Sequence, residues 1–381
     1  MLITGGEMMI DRAIDLFDVK KDELREFDVL DTFNGNQLSG FLCRRSDHRY
    51  GAMVIYYING DPCEQVVWAT PKQHYPFDKN GKFNWPQITE MQAWEKLDGT
   101  NILAYHYEYN GMNFVTYKTR LTPVVKDMGF GHFESMWREL LERENWIREV
   151  ISSNPEYNLS FELYGQRNLI TIQYKSLLDT TLLFGVRRTD HAIKPPHLLS
   201  VPTGALPKHH VVSDGDLTEV YNAFREEMST QNENELLVEG IVLYAHVGEP
   251  SWRQFKCKPE QIEKIHWSHA GISSHSVWTT TVNAYEIKDL PTIDDVVELL
   301  KEEFSETQIG KSITKIHRIH REVYYHMVFV GEVNTAWEIA IKKGFDVTKD
   351  KTETMRFLSH FFNKKEMRRV GSIVLKQAGL L

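Results

Sequence analysis

Between about residues 40 and 270 the chain breaks into short runs rich in β-branched and aromatic residues, separated or punctuated by polar turns. Runs at 52–60, 64–71, 101–120, 182–190 and 235–247 are rich in β-branched and aromatic residues, so they are expected to be strands. Asn110-Gly111, flanked by alternating residues, predicts a hairpin over 105–117. Helices are expected over 133–152, with Met136, Leu140, Leu141 and Ile147 on one side, and over 217–228, opened by Ser213-Asp214-Gly215-Asp216. This mixture predicts an α+β domain of antiparallel sheets flanked by helices.

After about residue 285 the texture turns helical. Thr292 is a plausible N-cap with Asp295 three residues on, and the following run keeps helical spacing. A long helix is expected over 312–343 with a break near Gly331, and two more over 350–362 and 364–377. The expected division is therefore an α+β domain over 1–284 and an all-helical domain over 285–381.

Composition sets outer limits. No run approaches the roughly 18 apolar residues of a membrane span, so no membrane partner is expected. The first residues lack the basic and apolar segments of a secretory signal. Cys43, Cys63 and Cys257 are odd in number and without CxxC spacing, which suits a reducing cytoplasm and argues against a disulfide framework or a zinc site. The net charge of −9 weighs against nucleic acid as a partner without excluding it, since phosphates respond to local patches.

Four short segments carry the chemistry, in this order: Glu95-Lys96-Leu97-Asp98-Gly99-Thr100-Asn101, Phe161-Glu162, Glu239-Gly240-Ile241-Val242 and Lys256-Cys257-Lys258. Singly, each reads as a surface turn, a strand end or a solvated edge. Together they supply what a lysine nucleophile needs. Lys96 must shed its proton near neutral pH, which nearby cations and desolvation favour. Lys256 and Lys258, on one face of a strand, provide a positive field for a phosphate. Asp98 and Glu239 are candidate ligands for hydrated Mg²⁺ (or Mn²⁺), and Glu162 is placed to accept hydrogen bonds from ribose hydroxyls. Gly99 lets the backbone pass close to a nucleotide.

The ordered set resembles the nucleotidyltransferase motifs shared by ATP-dependent DNA ligases, RNA ligases and mRNA capping enzymes, over roughly residues 45–265. The resemblance implies a covalent lysyl-AMP on Lys96, ATP as cofactor, and nucleotide contacts from Glu95, Asn101, Glu162, Phe184, Lys256 and Lys258. Arg49-Tyr50-Gly51 resembles an arginine–glycine strand of the phage-type tRNA-repair RNA ligases, which implies that Arg49 orients ATP or a 5′-phosphate. The segment from Trp68 to Tyr75 resembles a basic segment of the same enzymes, with Thr70 in place of arginine and the lysine position on His74 unless Lys72 takes its place. Lys118 and Arg120 resemble a basic pair that meets a phosphate or the RNA.

Asn101 and the helical C-terminus are similar to RNA ligases, whereas DNA ligases and capping enzymes usually carry arginine there and a β-barrel after the last lysine. The implied activity is joining of 5′-phosphate and 3′-hydroxyl RNA ends, tRNA included, in the cytoplasm of a prokaryotic or phage-infected cell, with no obligate protein partner evident. A DNA ligase, a capping-type guanylyltransferase and a catalytically silent binding protein on the same fold remain as rivals. Lys315, His317, Arg318, His320 and Arg321, with Lys364, Lys365, Arg368 and Arg369, are the expected RNA-contacting charge of the helical domain. Solvated helix faces would show the same residues.

Overall fold

In a computed structural model the described residues are all but 1–2, 79–80, 128–131, 169–171, 173, 203, 213–214, 232–237, 249–251, 260–271, 273, 302–303, 305, 379 and 381. The fold is α+β, with antiparallel sheets flanked by helices and a helical C-terminal region. After helix α1 (Ile3–Phe17) come β1 (Leu24–Asp31), β2 (Asn36–Cys43), β3 (Met53–Ile58) and β4 (Asp61–Val67), an antiparallel meander. The second sheet has the order β10-β9-β8-β6-β7, from β6 (Thr100–Tyr109), β7 (Met112–Lys118), β8 (Tyr157–Tyr164), β9 (Asp179–Arg187) and β10 (Ile193–Lys194). The third is β11-β5-β12-β13, from β5 (Glu90–Lys96), β11 (His209–His210), β12 (Gly240–His246) and β13 (Trp252–Cys257).

The strands bury their apolar side chains either between these sheets or against the helices that flank them. Leu38, Met53, Ile55, Leu103 and Tyr105 fill the space between the first and second sheets. The other face of the second sheet packs Ile102, Phe161 and Leu182 on α2 (Phe133–Arg143) and α3 (Asn145–Ser153). The third sheet leans on α4 (Leu217–Gln231) through Ile241, Leu243 and Tyr221, and meets the second sheet through Trp94, Val242, Phe184 and Val186. Ser213 and Asp214, expected to open α4, lie outside the described residues; Asp216 Oδ1 accepts from the amides of Thr218 and Glu219 at 2.9 and 3.2 Å.

The helical region comprises α5 (Ser274–Ile287), α6 (Ile293–Lys301), α7 (Glu306–Lys342), α8 (Lys351–Leu358) and α9 (Met367–Gln377). The reciprocal Thr292/Asp295 cap forms, with the Asp295 amide donating to Thr292 Oγ1 at 3.2 Å and the Thr292 amide to Asp295 Oδ2 at 2.6 Å. The expected break near Gly331 does not occur: α7 runs through it for 37 residues. The expected domain boundary at 284/285 falls inside α5, whose Val277, Ala284 and Tyr285 belong to the apolar cluster of α6 and α7. Among the described residues no helix is long and apolar enough to cross a membrane.

Candidate active site

The site forms where strand ends from two sheets converge. β5 ends at Lys96, and the chain steps through Leu97-Asp98-Gly99 into β6 of the neighbouring sheet. Register brings Lys96 opposite Gly240, Asn101 opposite Glu162 and Ile241 opposite Cys257. The segments far apart in sequence therefore meet within one pairing step of each other. Two glycines make the approach possible. A Cβ on Gly99 would lie 2.3 Å from the Leu163 carbonyl oxygen, and one on Gly240 2.4 Å from that of Cys257.

Glu239 is the hub. One carboxylate oxygen accepts from Lys96 Nζ at 2.5 Å and the other from Lys258 Nζ at 2.8 Å. Burial alone would raise this carboxyl, but the ammonium groups of Lys258 and Lys96 overcome it and hold it down at about 2. Glu162 is equally buried and takes the other course. Burial pushes it up to about 8 against the opposing pull of Lys96, and no hydrogen-bond donor among the described residues reaches its carboxyl group. Asp98 is held from both sides: its amide donates to Tyr174 Oη at 2.7 Å, and its Oδ2 accepts from the Ile172 amide at 3.0 Å.

These groups line a cavity of about 380 Å³, together with Glu95, Asn101, Phe184, Lys72 and Arg120. Glu95, its carboxyl raised by burial, is fixed through its amide to the Lys208 carbonyl at 2.8 Å. Asn101 donates to Ser160 Oγ at 2.8 Å and to the Phe161 carbonyl, and accepts from Thr70 Oγ1 at 2.8 Å. Thr70 thus ties its segment to β6 and β8. Phe184 is fully buried, edge-on to Tyr244. Lys72 Nζ and the Arg120 guanidinium stand 5.4 and 5.5 Å from the centroid of the Tyr50 ring. Buried Arg120 Nε has no partner among the described residues.

Three expected contacts are placed differently. Lys256 Nζ lies 4.5 Å from the Tyr75 ring centroid, outside the cavity wall formed by Lys258. Arg49 is engaged within the chain: its guanidinium bonds Asp47 at 2.5 Å and the Phe17 and Asp18 carbonyls at 2.6 and 2.8 Å, fastening the end of α1. Lys118, expected at a phosphate or the RNA, stands in the interior. It is fully buried, and its Nζ donates to the carbonyls of Gly51, Thr119 and Arg120 at 3.1, 2.9 and 2.9 Å. Burial, with Arg25 and Arg120 nearby, pushes its ammonium down to about 7.

Several basic residues of the helical region are engaged by neighbouring groups of the chain itself. Lys315 Nζ donates to the Ile272 carbonyl at 2.7 Å, Arg318 pairs with Glu322 at 3.0 Å, and His320 Nε2 meets the Pro291 carbonyl at 2.7 Å. The Arg369 guanidinium lies 4.5 Å from the Phe329 ring centroid and bonds His326. Among the described residues no cluster of three or more His, Cys, Asp or Glu could hold a metal, His317 and His320 included.

Sequence reasoning missed Tyr50, Tyr174 and Tyr244 in the cavity's surroundings, and also Thr279, Thr280 and Asn283 of α5 in its wall. Nothing in the local sequence marks them, because only the fold brings them to the cavity.

No protein-family model matches the chain, and no curated protein matches it. Solved structures similar to it include an archaeal ATP-dependent RNA ligase in two forms. One is 15% identical over 92% of this chain and 86% of that chain, with a TM-score of 0.45. The other is 13% identical over 98% and 99%, with a TM-score of 0.47. A candidate ATP-dependent DNA ligase from Aquifex aeolicus is 13% identical over 97% and 99%, with a TM-score of 0.41. At identities of 13–15% and TM-scores under 0.5, function has to be read from the residues of the pocket.

Proposed function

We propose that this chain is an ATP-dependent polynucleotide ligase that joins RNA ends through a covalent lysyl-AMP on Lys96. The observation that carries the reading is the Lys96–Glu239–Lys258 chain of contacts at a strand junction, inside a cavity of nucleotide size. In the first step Lys96 Nζ gives up its proton and attacks the α-phosphate of ATP. The N–P bond forms as the bond to the β-phosphate breaks, and pyrophosphate leaves. AMP then passes to the 5′-phosphate of a strand, and a 3′-hydroxyl displaces it.

Lys258, held beside Lys96 by the shared carboxylate, is the cation available to the α-phosphate. Lys72 and Arg120, both against Tyr50, are available to the outer phosphates or the strand. Glu162 faces the cavity with an unused carboxyl group, which suits a ribose hydroxyl. A bound Mg²⁺ would neutralise charge on the phosphates, with Asp98 and Glu239 as its protein ligands. Two carboxylates suit an ion that keeps most of its waters, although Glu239 already serves two ammonium groups. RNA is preferred over DNA because of Asn101 and the helical C-terminal region.

Purified protein incubated with labelled ATP or GTP and Mg²⁺ should acquire a covalent label from ATP. Lys96→Ala and Lys96→Arg should both abolish it, since guanidinium stays protonated. A folded Lys96→Ala protein that still becomes labelled removes Lys96 from the nucleophile role. A wild type that takes no label supports a silent binding protein instead.

A further inference from the structure

The helical region supplies part of the cavity wall. Ser276, Thr279, Thr280 and Asn283 of α5 fall at i, i+3, i+4 and i+7, so they share one helix face, and all four line the cavity that holds Lys96. The opposite side of α5 is occupied: Val277, Ala284 and Tyr285 pack on α6 and α7. The helix is also pinned to the sheets. Arg25 Nη1 donates to the Ile287 carbonyl at 3.1 Å, and Ile287 and Leu299 pack on the cluster between the first two sheets.

A solvated helix face usually carries charge, yet this one carries hydroxyls and an amide. The side chains of Thr279, Thr280 and Asn283 make no hydrogen bond with any described residue. Lys96, Lys258, Lys72 and Arg120 bring positive charge to the same cavity from other segments of the chain. Phosphates are served by those cations, whereas hydroxyl and amide groups, which both donate and accept, match a sugar hydroxyl. The 2′-hydroxyl is the group by which a protein tells RNA from DNA.

Resting on the ligase reading, we infer that the Thr279–Thr280–Asn283 face of α5 reads the terminal ribose of the strand entering the pocket. The test compares binding of a fluorescent 5′-phosphorylated RNA oligomer with the same oligomer carrying deoxyribose at either terminal nucleotide. Full-length wild type, Thr280→Val/Asn283→Leu and Thr280→Ser are measured by anisotropy, with thermal melting to check the fold. Wild type should prefer terminal ribose about threefold to tenfold, the worth of one net hydrogen bond. The double variant should lose the preference, and Thr280→Ser should keep it.

Absence of a preference in wild type, or its survival in the double variant, overturns the inference. Adduct formation with ATP against 2′-deoxy-ATP separates the two possible riboses. A double variant altered only in that comparison reassigns α5 to the nucleotide and overturns strand-end reading. A wild type that shows the ribose preference but takes no label from ATP leaves the strand-end site standing and sinks the ligase reading alone.

Discussion

Lys256 and Lys258 share a strand face yet stand in different surroundings, one against the Tyr75 ring and the other on Glu239 in the cavity. Lys258→Ala should therefore slow label transfer from ATP by at least about tenfold, the order expected for one preorganised contact to a phosphate. Lys256→Ala should slow it less. Near-normal labelling by Lys258→Ala would reduce that lysine to a partner of Glu239. A second residue-scale outcome concerns acid. Burial, with Arg188 adding to it, lowers His106 to about 4, and its Nε2 is buried without a partner among the described residues. In the unfolded chain the ring takes a proton near its ordinary value of about 6.5, so the unfolded state binds more protons below that pH. The stability this neutral ring contributes is present above about pH 6.5 and is lost as pH falls through about 4. Urea midpoints at pH 7 and 5 should fall more in wild type than in His106→Phe, and equal falls would exclude His106 as the source. The motif residues at the cavity were legible as an ordered set of short segments, none of which is telling singly. The surroundings of Arg49 and Lys118 were not: the Phe17 and Asp18 carbonyls on Arg49 and the Gly51 carbonyl on Lys118 come from other segments, and alternation along a strand carries no trace of them.

At the scale of elements, two glycines separate steric need from conformational need. Gly111 has φ 73° and open space around the position a Cβ would take, so Gly111→Ala should cost about 1 kcal/mol through backbone strain alone. Gly99 has no such φ, but its Cβ would strike the Leu163 carbonyl, so Gly99→Ala should cost about 1–3 kcal/mol and also displace Lys96 and Asp98. Denaturant titration with adduct assays checks both, and a Gly99→Ala protein that labels normally would show that the β6–β8 approach does not position the site. The hairpin was legible because Asn110 and Gly111 both take the positive φ that its turn requires. The helix expected over 133–152 is instead divided at Glu144 without a glycine or proline to announce it. Gly331 errs the other way. A glycine inside a helix costs about 1 kcal/mol, and burial of Val330, Val333, Ala336 and Ala340 on the same helix offsets it.

For the whole molecule, the question is what the helical region adds to a site whose proposed reacting groups all lie upstream of it. Because the expected boundary near Ala284 cuts α5, a chain ending there would strand Val277 and Trp278 without α6 and α7 and should aggregate. A chain ending near residue 270 removes α5 whole and exposes the patch that Ile287 and Leu299 cover. That shorter chain should still take label from ATP, since Lys96, Asp98, Glu162, Glu239 and Lys258 remain. It should join strands poorly, and its RNA affinity should fall less steeply with salt as phosphate contacts disappear. If the helices merely cover an apolar face, labelling and solubility should be lost together. Measuring label transfer and strand joining on one preparation separates these outcomes, and a soluble chain ending near residue 270 with unchanged joining would remove RNA recognition from the helical region.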